Sequence, residues 1–200
     1  MSIVFHPVFV PAYAYAMLLF FSPNIFIGVA EKNKTWWFIT LTYTSVMLPL
    51  LTVFLLWRLK FIDSMHMRGN KERLGPLIAS MMFYFWVYWL FHKQFNAPIL
   101  LQIFLLGVFL TTVLSFLGTI FLKISLHASA WSGFTTFLLC CMFYNTQNSF
   151  LLFSVTLLLT GGIASMRLLL LEHTPREVYI GLCIGILAQT IACFIAPLVK

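Results

Sequence analysis

The run Ala97-Pro-Ile-Leu-Leu-Gln-Ile-Phe-Leu-Leu-Gly-Val-Phe-Leu-Thr-Thr-Val-Leu-Ser-Phe-Leu-Gly-Thr-Ile-Phe-Leu122 contains no charged side chain. A bilayer's hydrocarbon core, about 30 Å thick, is crossed by about 20 helical residues. In lipid, every backbone N–H and C=O must be paired within the segment, so an uninterrupted apolar run of this length is a helix and not an open strand. Outward from it, six more stretches read the same way, at roughly 8–30, 36–59, 76–95, 127–145, 149–171 and 176–199. Pro11 and Pro23 fall inside the first, where proline kinks or breaks a helix. The expectation is an all-α polytopic membrane bundle of six or seven transmembrane helices, built as one integral membrane domain over residues 1–200.

Composition agrees with the runs. Of 200 residues, 62% are apolar and 8% charged, with a mean hydropathy of +0.98. A soluble domain carries about 25% charged residues, so a soluble or disordered chain is excluded. The net charge of +7 is carried in short breaks between apolar runs. Nucleic-acid binding needs a solvated basic face, and none is present, so anionic membrane lipid is the expected partner. Cys140, Cys141, Cys183 and Cys193 all lie inside apolar runs without metal-type spacing and read as small buried hydrophobes with free thiols. Residues Met1 to His6 lack the basic n-region of a signal peptide, so the first apolar stretch is expected to be retained.

With seven spans, the breaks after spans two, four and six face one side. That side gathers Arg58, Lys60, Arg68, Lys71, Arg73, Lys123, Arg167 and Arg176, against Lys32, Lys34, Lys93 and Lys200 on the other. Ionisable groups near a membrane are costly and ask for a reason. Three clusters stand out, all on the richer side.

The first cluster runs from Ser165 to Glu177 and holds Arg167, His173 and Glu177. A carboxylate bonded to one imidazole nitrogen fixes the tautomer and leaves the other nitrogen to act as nucleophile or base. Arg167 offers a planar fork for a phosphate. The same segment also reads as Thr174-Pro175-Arg176-Glu177, a capping box with proline at the first helical position. The second cluster is Lys123-Ile124-Ser125-Leu126-His127. Ser125 is either a plain N-cap or part of an anion site at a helix start, and His127 is either solvated or a proton donor to a leaving oxygen. The third is Lys71-Glu72-Arg73-Leu74-Gly75-Pro76, either a phosphate clamp or a basic loop at the lipid head groups, with Pro76 starting the next span. Together the three supply the parts for metal-free phosphoryl transfer: two imidazoles, an orienting acid and cations for developing negative charge.

The order and spacing of these residues resemble the type 2 phosphatidic acid phosphatase superfamily of integral membrane lipid phosphatases, over about residues 71–185. The family's third motif is Ser-Arg, five residues, His, three residues, Asp; Arg167, His173 and Glu177 match its spacing, with Met166 for Ser and Glu for Asp. The second motif, Pro-Ser-Gly-His, appears as Ile124-Ser125-Leu126-His127. The first, a Lys six residues before Arg-Pro, has Lys71, Arg73 and Pro76 as nearest equivalents at a different spacing. The resemblance implies that His173 becomes a phosphohistidine, Glu177 orients it and His127 protonates the departing lipid hydroxyl. Arg167, Ser125, Lys71, Arg73 and Lys123 would hold the phosphate, with no metal or cofactor. The implied partner is a phosphorylated lipid, and the implied location a bacterial inner membrane. Three alternatives remain: an inactive member; transfer of a phosphate-bearing head group to another lipid rather than to water, by the same pair of histidines; or a non-enzymatic scaffold or transporter subunit whose basic face binds anionic lipid.

Overall fold

The computed structural model describes residues 4–62, 69–144 and 149–198 of the chain. Among the described residues the chain is helical, without strands. The order is α1 (Val10–Phe21), α2 (Glu31–Thr42), α3 (Leu48–Arg58), α4 (Asn70–Trp89), α5 (Ile99–Phe121), α6 (Leu126–Phe143), α7 (Ser149–Leu169) and α8 (Pro175–Ile195). A π turn, Tyr43–Met47, joins α2 and α3 into one helix of 28 residues. Among the described residues six helices are long and apolar enough to cross a membrane, and the protein is a multi-pass membrane helix bundle.

The first apolar stretch forms a shorter apolar helix, Pro7–Phe21. Pro11 sits in the first turn of α1, where its missing N–H is not needed. Pro23 then opens a 3-10 turn, and Gly28, at φ +83°, turns the chain in a conformation open to glycine. The third span also differs from expectation. Pro76 is inside α4, and the helix begins more than a turn earlier, at Asn70. Lys71, Glu72 and Arg73 are therefore helical. Pro76 has no N–H for the carbonyl four residues back, a cost tolerated close to a helix start, where water can serve that carbonyl.

The centre of the bundle is α5, α6 and α8, with Phe104, Phe134, Phe137 and Leu101 fully buried. Outward-facing Phe121, Phe143, Leu158 and Leu169 are exposed, as lipid contact requires. Lipid tails do not drive apolar helices together, so close packing and hydroxyl bonds take over. A Cβ on Gly185 would lie 2.1 Å from Ser129 O and 2.7 Å from Gly133 N, so α6 and α8 touch backbone to backbone there. Ser132 Oγ donates to Leu182 O (3.0 Å), and Thr135 and Thr160 share a hydrogen bond of 2.8 Å between α6 and α7.

The α6–α8 packing corrects the reading of four free thiols. Cys140, near the end of α6, and Cys193, near the end of α8, are joined as a disulfide across a sequence separation of 53. The pair is made by two parallel helices that start at the same end of the bundle. Cys141 is buried and Cys183 exposed, and neither takes part in that disulfide.

Candidate active site

Because successive helices alternate direction, His6 before α1, the start of α4, the α5–α6 link, the end of α7 and the start of α8 all reach the same end of the bundle. Arg167 lies in the last turn of α7 and is 5% exposed. The chain then turns through Leu171, at φ +52°, and enters α8 at Pro175.

Thr174 caps α8. Its Oγ1 accepts from Glu177 N–H (3.4 Å), and Thr174 N–H donates to Glu177 Oε2 (3.1 Å), completing the capping box. The same Oε2 accepts from His173 Nδ1–H at 2.9 Å. The two readings of Glu177 are thus simultaneous: the cap holds the carboxylate, and the carboxylate holds the imidazole. An ionised carboxylate only accepts, so the ring proton is on Nδ1 and the lone pair on Nε2. The His173 side chain is 6% exposed. Burial lowers its pKa below the ordinary 6.5; the nearby Arg73 and Lys123 charges add to that, while Glu177 opposes it. His173 is therefore neutral at neutral pH.

The second cluster comes to the same place. Ser125 N–H donates to Glu177 O (3.4 Å), tying the start of α6 to α8. Ser125 does not cap α6 with its side chain. Its Oγ is buried and has no hydrogen-bond partner among the described residues. His127 lies in the first turn of α6. Lys123 Nζ donates to Glu172 O (3.1 Å), and Arg73 Nη1 donates to Ile124 O (3.4 Å). The Lys71 side chain lies outside the described residues. A cleft of about 500 Å³ opens here, lined by Lys123, Glu172, His173 and Glu177 with Leu168 and Leu171 at its apolar edge. Among the described residues, no three His, Cys, Asp or Glu side chains form a metal-binding group.

Two residues join the site that the motifs do not contain. Glu172 makes a short ion pair with Arg167 Nη1, so an incoming anion meets an arginine already carrying a carboxylate. His6 meets His127 ring to ring. Glu172 is near Arg167 in sequence, but only the turn at Leu171 brings it back. His6 is far from His127 in the chain and gives no local signal.

The titration of His173 has a consequence for stability. Its pKa is lowered in the folded protein, so the unfolded chain takes up the proton first as the pH drops. Stability is flat above about pH 6.5 and falls below it, levelling once the folded group also titrates. His6, lowered by burial and by Arg167, acts in the same direction. Thermal unfolding in detergent from pH 8 to pH 5 is expected to show this fall, reduced in His173→Gln.

No protein-family model, curated protein or solved structure matches this chain.

Proposed function

We propose that the protein is a metal-independent lipid phosphate or lipid pyrophosphate phosphatase that works through a phosphohistidine at the membrane face, a divergent member of the type 2 phosphatidic acid phosphatase superfamily. The observation that carries the reading is the His173 Nδ1–H bond to Glu177 at 2.9 Å, which leaves the Nε2 lone pair for attack. In the proposed reaction His173 Nε2 forms a bond to phosphorus as the bond to the lipid oxygen breaks. His127 gives that oxygen its proton. Water then attacks the phosphohistidine, His127 takes a proton back, and His173 is released with inorganic phosphate. Arg167, Arg73, Lys123, Ser125 and Lys71 are assigned to the phosphate oxygens. The apolar edge at Leu168 and Leu171 suits a substrate whose chain stays in the bilayer. Outer-membrane proteins of bacteria are β-barrels, so a helical bundle fits a bacterial inner membrane.

The test is phosphate release in detergent from phosphatidate, phosphatidylglycerophosphate and a polyprenyl pyrophosphate, with and without chelator. Release insensitive to chelator is expected from at least one. Glu177→Asp is expected to retain activity and Glu177→Ala to lose most of it; equal activity in all three forms would leave Glu177 a helix cap only. The occupied Arg167 and the completed capping box favour a second reading, an inactive member or a non-enzymatic scaffold that binds anionic lipid. Vanadate separates the two, since it mimics the transfer state: protection from heat unfolding supports the enzyme, and no protection supports the scaffold.

A further inference from the structure

Residues 4–9 are fastened over the start of α6 by contacts unrelated to the family motifs. Tyr13 Oη–H donates to Val4 O (2.8 Å), and Trp131 Nε1–H donates to Phe5 O (3.0 Å). The Phe5 ring stands edge-on to Trp131, with centroids 5.6 Å apart. His6 Nδ1 accepts from Val8 N–H (3.4 Å) and caps the 3-10 turn Pro7–Phe9. That bond puts the lone pair on Nδ1 and, in the neutral ring, the proton on Nε2. The His6 ring meets the His127 ring at 5.4 Å and an interplanar angle of 81°.

We propose that His6 is a positioning residue of the candidate site: its ring, pinned by the cap and the strap, holds the orientation of His127. The catalytic part of this inference rests on the phosphatase reading, in which His127 moves the proton. The need is physical. A proton donor works only with its ring nitrogen aimed at the leaving oxygen, and a histidine ring is aimed by two side-chain torsions. An edge-to-face partner removes much of that freedom. His6 is also suited to sit beside a ring that cycles through a charged form. Burial, and the charge of Arg167, keep His6 itself uncharged at neutral pH, so the two rings do not repel.

His6→Asn and His6→Phe separate the parts. Asparagine is a favoured cap and keeps the turn without the ring; phenylalanine restores a ring edge without the cap. In detergent-purified full-length protein, His6→Asn is expected to keep the wild-type melting temperature and vanadate protection. Its kcat is expected to fall about 10- to 100-fold, with KM within about twofold. His6→Phe is expected to recover much of that loss. Wild-type kcat in His6→Asn would overturn the proposal, as would a loss of kcat matched by loss of vanadate protection and of melting temperature. A second readout does not depend on activity. Diethyl pyrocarbonate modification of His127, followed by mass spectrometry, is expected to be faster in His6→Asn than in wild type. An unchanged rate would overturn the His6 assignment even if the wild type released phosphate. If the wild type releases none, the phosphatase reading fails, and the modification rate alone decides whether His6 holds the His127 ring.

Discussion

His173→Ala is expected to abolish phosphate release, by at least about 10³-fold, since in the proposed reaction it removes the nucleophile and not an accessory. The variant should still fold. Glu177 keeps its bonds with Thr174, so the start of α8 remains capped. Loss of activity with an intact melting curve is therefore the expected pair of results. In the proposed reaction His127→Ala removes the proton donor, and it is expected to cost about 10²- to 10⁴-fold. A substrate with a better leaving group than a lipid alkoxide, such as p-nitrophenyl phosphate, needs little protonation. On it His127→Ala should lose much less than His173→Ala. Full activity in His173→Ala on any lipid phosphate would end the phosphohistidine reading.

The largest expected effect on stability is at Gly185. A Cβ there would lie 2.1 Å from Ser129 O, 2.2 Å from Ser132 Oγ and 2.7 Å from Gly133 N. Two of these atoms are backbone and cannot swing aside, so α6 and α8 must separate. Overpacking of this kind costs about 1–3 kcal/mol or more. For a chain of this length, 3 kcal/mol corresponds to roughly 6–12 °C in melting temperature. The matched control is Gly161→Ala, where an added Cβ meets nothing within 4 Å and helix propensity favours alanine. Gly185→Ala should melt well below wild type, and Gly161→Ala at or above it. Activity should also fall in Gly185→Ala, because Ser125 and His127 travel with α6 while Glu177 belongs to α8. Identical melting curves for the two variants would contradict the backbone contact.

What the sequence reveals depends on how far the determining interaction reaches. Apolar run length is a local property that the bilayer reads directly, and six of the seven apolar stretches are helices long enough to cross. The capping box is local too, and it delivers the His173–Glu177 pair with the cap: Glu177 bends back to the residues before α8, where His173 waits. Pro76 misleads because a proline near a helix start is compatible with either side of the boundary. Ser125 has the residue type and place of a cap, yet its hydroxyl makes no capping bond. The Cys140–Cys193 pair and the His6–His127 contact depend on which helices become neighbours, and no spacing in the chain encodes that; the Arg167–Glu172 pair depends on the left-handed turn at Leu171, which the residue type there does not signal.

The Arg167–Glu172 pair bears on how the protein is made. An arginine in a membrane helix costs about 2.5–3.5 kcal/mol at mid-bilayer by insertion measurements, less towards the ends. Arg167 is in the last turn of α7, where the helix dipole favours a cation. Its counter-ion is only five residues further along the same polypeptide. The charge can thus be neutralised while α7 is being inserted, before α8 exists to support it and with no phosphate bound. The segment carries its own electrostatic escort through biogenesis, and in the proposed function a substrate anion would later displace Glu172 from Arg167.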